Sequence, residues 1–408
     1  MTQVEHSLPQ ANMLARGAVR GVSDLARLRL VTGSILILVS LAGLLGADWD
    51  IQWHATVGRD RTFTPPHDLI LIGIGLSGIV ALINILIETR WARHSLELRP
   101  YGVEFLGLLR SSLGSYLIGF GAICSAVAFP LDTYWHSLYG IDVSLWAPFH
   151  TMIYMGGILS TIGMIYLLLS AAHLAETQRD RRTAIFSYAG MVATLGILLS
   201  KFSTFLTPAL SGHRLHLGGL TLSLFPFLLA LTAVFVCMLA VRLTPWLGAA
   251  TLTVIVFLLL WLLVRVSVPP LMTLLVQAEH ETYLARASQI GSSIVPLSGQ
   301  SPALLLLALS IDGVVWLGRR GTWPLTRQNT WALVAALVSM ILVAGITLVQ
   351  AGLRAQAAQG GGVRGGHLLL GFVLALLLTI PGTLLGYWLA LTISRTLTLS
   401  QTLQARRR

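Results

Sequence analysis

The chain has 408 residues, of which 55% are hydrophobic and 11% charged, and its mean hydropathy is +0.78. That composition excludes a protein whose exterior faces water throughout and predicts a polytopic membrane protein. The net charge of +11 comes from Arg and the single Lys201; it lies in clusters between apolar stretches rather than in one patch, so it reads as a topology signal and no nucleic-acid partner is expected.

Residues 1–27 are mixed polar, with Arg16, Arg20 and Arg27 and no cleavable signal peptide. They form either an amphipathic segment or a disordered cytoplasmic tail. Apolar windows of the length a hydrocarbon core requires then fall near 29–48, 68–90, 108–130, 149–172, 184–206, 218–241, 247–267, 300–318, 330–352 and 367–393. The expected fold is therefore an all-α bundle of about ten transmembrane helices in a lipid bilayer. Arg is dense in the tail, at Arg90, Arg93 and Arg99, at Arg179, Arg181 and Arg182, around Arg319, Arg320 and Arg327, and at Arg406, Arg407 and Arg408. If ten spans alternate, all of these lie on one side. The positive-inside rule then places both termini in the cytoplasm and the chain in a plasma (inner) membrane. Residues 28–175 form a first, four-helix half, and residues 176–408 carry six further helices and the C-terminal tail.

Within the first half one arrangement recurs. Asp50 is followed by Trp53, His54, Asp60, Pro65, Pro66 and His67; 82 residues after Asp50, Asp132 is followed by Trp135, His136, Asp142, Pro148 and His150. In each copy the acid and the first His are one helical turn apart and share a face. The second His opens the next span behind a Pro suited to a helix start. A short loop can thus bring three ligands together from two helix ends, and two imidazoles with a carboxylate suit copper, zinc or iron. Asp60 and Asp142 either orient a ligand His or cap the loop. The repetition reflects either duplication or convergence on one ligand geometry.

Weaker features have ordinary readings. Trp53, Trp135 and Trp146 suit an interfacial aromatic belt, and Lys201 and Arg265 suit snorkelling to the interface. Glu104 falls at the inner entrance of the third span, Asp312 is placed to pair with Arg319 and Arg320, and His213 with His216 form a further candidate metal pair. Residues 269–299, with Pro269 and Pro270, read as the longest external loop. Only Cys124 and Cys237 are present, so no disulfide framework or thiolate zinc motif can be built. P-loop, Rossmann, nucleophile-elbow, HExxH and CxxCH patterns are missing from the sequence.

The first motif, D-x-x-W-H followed by R-D-x-x-F-T-P-x-H, resembles the metal-binding segment of the C subunit of the particulate methane and ammonia monooxygenases. The second is similar to that subunit's other site, with Asp132 where the family has Asn. The resemblance spans roughly residues 30–175. It implies Asp50, His54 and His67 as ligands of one metal, and Asp132, His136 and His150 as ligands of another. It also implies copper, O2, a small apolar substrate and partner monooxygenase subunits, with both motifs near the outer face. A non-enzymatic copper or zinc storage or delivery protein and a secondary transporter are the other two functions compatible with the residues.

Overall fold

The computed structural model describes residues 7–58, 63–140, 145–206, 214–217, 220–284, 302–359, 373–374 and 376–406. Ten α-helices lie among them: α1 (Ser7–Thr56), α2 (Pro65–His94), α3 (Leu113–Tyr139), α4 (Pro148–Thr177), α5 (Arg181–Phe205), α6 (Phe225–Leu243), α7 (Ala249–Ala278), α8 (Leu304–Arg320), α9 (Leu325–Gln359) and α10 (Thr379–Arg406). Eight of the ten, all but α8 and α10, are long and apolar enough to cross a membrane. Large apolar side chains such as Leu38, Ile79 and Ile123 point outward. In a bilayer those positions face acyl chains, because helices satisfy their own backbone polar groups and need cover only with hydrocarbon. The chain is an all-α, multi-pass membrane protein.

Two antiparallel hairpins interrupt the helices, and hydropathy alone gives no sign of them. One pairs β1 (Val103–Phe105) with β2 (Leu109–Ser111) between α2 and α3; the other pairs β3 (Arg214–Leu217) with β4 (Leu220–Ser223) between α5 and α6. Leu106 and Gly107 both take positive φ in the three-residue tip of the first, as the central residues of a primed turn closed by the Leu108 N–H on the Phe105 carbonyl at 3.2 Å. Glu104 belongs to this hairpin, where it pairs with Arg110. It is a connector residue rather than the head of a span.

The helices start where the sequence supplies starts. Pro occupies the first turn of α2, α4 and α6, where its missing N–H costs nothing. Ser112 caps α3 by accepting the Ser115 N–H at 3.1 Å. At α5, Asp180 Oδ1 accepts the Thr183 N–H at 3.2 Å and Asp180 Oδ2 accepts the Thr183 hydroxyl at 2.8 Å. Arg27 adds an exposed contact at 3.2 Å, which contributes little by itself. The Thr183 hydroxyl and amide hold the Asp180 carboxyl below its ordinary range. A depressed folded-state pKa means that the cap's stabilisation is present above the ordinary carboxylate range and is lost as pH falls through the folded value. Asp180→Ala is therefore expected to destabilise the protein by about 1 kcal/mol at neutral pH. In thermal unfolding the gap between variant and wild type should close on acidification; a gap that persists would show that the side chain acts through something other than its charge.

Residues of α4 to α10 form the largest buried cluster. The first four helices are tied together at the end opposite the two repeated motifs. Arg29 on α1 donates from Nε to Glu88 Oε1 at 2.9 Å and from a terminal nitrogen to Glu88 Oε2 at 2.8 Å. Further donors reach Glu88 from Asn84 at 3.0 Å and from the Ser112 N–H at 2.9 Å, and Arg29 also donates to the Tyr101 carbonyl. Arg29 and Glu88 are both buried, and these additional hydrogen bonds supply what a buried ion pair requires. Next to this node α3 and α4 cross at backbone contact. A methyl group built on Gly114 or Gly163 would lie 2.5 to 2.7 Å from the other's carbonyl oxygen, and Gly121 and Gly156 are opposed in the same way. Small residues permit this approach in a membrane, where packing replaces hydrophobic exclusion.

Several sequence expectations change. Trp53 is no belt residue: with Trp49 it packs into a core formed with Val264, Val268 and Met272 of α7. Asp312 does not pair with the arginines after it. Its carboxylate accepts the Ala250 and Thr251 N–H groups at 3.3 and 2.8 Å and the Thr251 hydroxyl at 2.6 Å, capping α7 from α8. Arg319 donates to the Pro245 carbonyl and Arg320 lies over Trp316. The helix α7 also runs through Pro269 and Pro270 to Ala278, so the segment beginning at 269 opens as helix, with the Thr273 hydroxyl bonding the Pro269 carbonyl.

Candidate metal centre

The end of α1 carries Asp50 and His54 on one face, and the first turn of α2 carries His67 directly behind Pro65 and Pro66. Asp50 Oδ1 lies 3.0 Å from His67 Nε2 and 3.5 Å from His54 Nε2. The end of α3 and the start of α4 repeat the arrangement: Asp132 Oδ2 lies 3.1 Å from His150 Nε2 and 3.4 Å from His136 Nε2. In each group one ligand atom per residue falls within 4.8 Å of the others. The six residues that the sequence singled out thus form two convergent groups. Asp60, Asp142 and His213 lie outside the described residues, and His216 sits on β3.

These distances allow a test of fit. Two donor atoms each about 2.1 Å from a shared metal are about 3.0 Å apart at a right angle and about 3.4 Å apart at a tetrahedral one. The four measured separations lie in or next to that interval. Asp132 Oδ1, the other oxygen of the carboxylate whose Oδ2 faces the two imidazoles, is moreover buried without a hydrogen-bond partner, a cost that a cation held by both oxygens would remove. Three protein ligands leave a position for a further ligand, the arrangement of metal sites that do chemistry.

Residues beyond the candidate ligands orient them. His136 Nδ1 lies 3.2 Å from the Gly140 carbonyl; a proton donated there leaves the Nε2 lone pair facing Asp132, the state a metal ligand needs. Gly140 has φ +84° and ψ 176°, a conformation almost confined to glycine. Trp146 donates to the Phe205 carbonyl at 2.8 Å and pins the second motif's loop to the end of α5. At the first group, the Leu284 N–H bonds the Thr56 carbonyl at 2.8 Å, so chain following α7 covers the end of α1. The two groups are neighbours: the His67 ring meets Phe129 edge-on at 5.5 Å, one turn before Asp132.

Three further residues lie close to these groups. Asp48 is buried; its Oδ1 accepts from the Thr204 hydroxyl at 3.2 Å, and its Oδ2 has no partner. Tyr154, one turn after His150, has a buried hydroxyl without a partner. Lys201 does not snorkel: its Nζ turns into the bundle and donates to the Gly157 carbonyl at 2.9 Å and the Thr161 hydroxyl at 2.8 Å. A lone lysine within an apolar stretch was the available signal.

Beneath both groups lies a cavity of about 90 Å³. Its walls include Ala47 of α1, Ile70 of α2, Ser125 of α3, Tyr154 of α4 and Lys201 of α5. Ala47, Ile70 and Tyr154 are each about one turn from a candidate ligand, which places the cavity just inside both groups.

No family model, curated protein or solved structure matches the chain.

Proposed function

We propose that the protein is a membrane copper-binding protein of the copper monooxygenase C-subunit type, oxidising a small apolar substrate with O2, alone or with partner subunits. The observation that carries this reading is the convergence of two Asp-His-His groups, each with separations suited to a transition metal, in the residues whose motifs resemble that subunit. Asp50, His54 and His67 would hold one metal, and Asp132, His136 and His150 the other. Bound copper would supply the redox chemistry toward O2.

The chain's own residues supply the surroundings. Pro-led helix starts fix His67 and His150, and the Gly140 carbonyl sets the His136 ring. The largely apolar cavity below the groups would admit a small nonpolar molecule from the bilayer and keep bulk water out. Charge distribution favours both groups at the outer face of the plasma membrane, since the Arg-rich connectors belong to the opposite end of the helices.

Elemental analysis of protein purified in mild detergent tests the reading. Wild type should hold two equivalents of copper, and His54→Ala and His136→Ala one each. With a reductant and an apolar substrate, wild type should consume O2 and both variants should lose most of that uptake. Stoichiometric zinc, or copper without O2 uptake, would favour a storage or delivery protein; wild type without any stoichiometric transition metal would sink the proposal.

A further inference from the structure

The connector from α2 to α3 is basic and apolar at once. Arg93, Arg99 and Arg110 line a cavity of about 190 Å³ beside the β1–β2 hairpin, together with Thr89, Glu104 and Leu108. Glu104 is the only carboxylate in its wall, and Arg110 already pairs with it. Arg93 donates to the Leu108 carbonyl at 2.9 Å, and Arg99 donates from Nε to the Ala92 carbonyl at 3.1 Å. A guanidinium has five N–H donors. These two spend theirs on neutral oxygens and meet no carboxylate among the described residues, so charge and open donors remain beside the cavity. The wall is also held in place. The Arg110 N–H donates to the Thr89 hydroxyl at 2.9 Å and the hydroxyl donates to the Arg110 carbonyl at 3.2 Å, which fastens β2 to α2. Arg110 itself donates to the carbonyls of Arg99 and Gly102. Guanidiniums fixed around one opening suit a compact oxyanion such as a phosphate.

The depth of the hairpin distinguishes a lipid phosphate from one in solution. Phe105 of β1 meets the Tyr116 ring at 5.4 Å and the Phe120 ring at 5.7 Å. Phe120 lies about 10 Å along α3 from its start at Leu113 and is 45% exposed, on a surface that meets acyl chains in a bilayer. The hairpin therefore folds back along the span instead of projecting away from it. At its tip Leu106 and Leu108 are 78% and 67% exposed, which is unfavourable in water and favourable against lipid. Basic side chains beside outward-facing leucines at the end of a span match the surface of an anionic leaflet. We propose that the cavity binds the phosphodiester headgroup of an anionic phospholipid, held by Arg93, Arg99 and Arg110, with the hairpin in the interface and Leu106 and Leu108 among the acyl chains. The site lies at the far end of α2 from His67 and is independent of the metal reading.

Native mass spectrometry of the full chain released from mixed micelles tests this, with phosphatidylglycerol, phosphatidylcholine and glycerol phosphate as probes. Wild type should retain phosphatidylglycerol saturably at an equimolar ratio and phosphatidylcholine more weakly, while glycerol phosphate neither binds nor competes at equal concentration. Arg93→Gln and Arg99→Gln should each weaken retention about fivefold, the scale of one basic residue at an anionic leaflet. Leu106→Asn, whose side chain tolerates the positive φ at that position, should also weaken it. The double variant Arg181→Gln with Arg182→Gln removes two exposed charges at the start of α5 and should leave retention unchanged. Gel filtration and thermal unfolding establish that each variant folds, and either single arginine variant carries the test if the other does not. Absence of saturable retention, or unchanged retention in folded Arg93→Gln and Arg99→Gln, would remove the site. Equal retention of phosphatidylcholine, or an equal loss in the Arg181→Gln, Arg182→Gln protein, would leave only unspecific attraction and overturn it. Glycerol phosphate binding as tightly as the lipid would overturn the lipid assignment in favour of a soluble phosphate.

Discussion

Asp50→Ala is expected to lower metal affinity at its own group by more than about a hundredfold, while the Asp132 group keeps its metal. Loss of a partner outside a ligand set already costs roughly 10- to 100-fold, and Asp50 supplies the only carboxylate in contact with His54 and His67 among the described residues. Without it, two neutral imidazoles are what remains of the candidate ligand set among the described residues. The converse variant, Asp132→Ala, should empty only the second group, because no candidate ligand is shared between the two. Asp132→Asn keeps the shape and an oxygen ligand but removes a charge; a smaller loss is expected, about tenfold, on the scale of one charge-assisted contact. Competition titration with a chromophoric chelator reads all three. Simultaneous loss of both metals in either alanine variant would contradict two independent groups.

The second large effect lies at the opposite end of the helices. Glu88→Leu should destabilise the protein by about 3–5 kcal/mol, since it leaves the Arg29 guanidinium buried and unpaired. Arg29 is 1% exposed, so water cannot replace the carboxylate. Glu88 also anchors Asn84 and the start of α3 through the Ser112 N–H, which adds to the loss. The double variant Arg29→Met with Glu88→Leu removes both charges and should recover a large part of it, because an ion pair exchanged for apolar groups is often neutral. Thermal unfolding in detergent of the two single variants and the double variant gives the cycle. Additive losses would mean that the two side chains act separately.

Much of this was legible in the sequence, for identifiable reasons. Spans are read from run length, because lipid demands it, and the candidate ligands are read from spacing, because one helical turn fixes which side chains share a face. Distances such as 3.0 Å between Asp50 and His67 follow from a Pro-led helix start that the sequence displays openly. What stayed hidden depends on partners far along the chain. Asp312 has Arg319 and Arg320 as neighbours in sequence, yet it caps a helix that starts at Ala249. Trp53 looks interfacial until α7 covers it. Lys201 resembles a snorkelling residue until its acceptors on α4 are known. The Arg29–Glu88 pair joins residues 59 apart, and periodicity carries no information about which buried charge meets which. The hairpins escaped because three- and four-residue strands leave almost no alternation to detect.

The contact of α3 with α4 has a consequence for how this chain can change over generations. Gly114, Gly121, Gly156 and Gly163 touch no candidate ligand, but a side chain at any of them would force the two helices apart. In a mutational scan read out by metal retention, these four positions should prove as intolerant as the histidines, and the record of accepted substitutions would not distinguish them from ligands. Separating the two kinds of constraint requires protein abundance as well as metal content, since glycine variants lose the scaffold and histidine variants only its cargo.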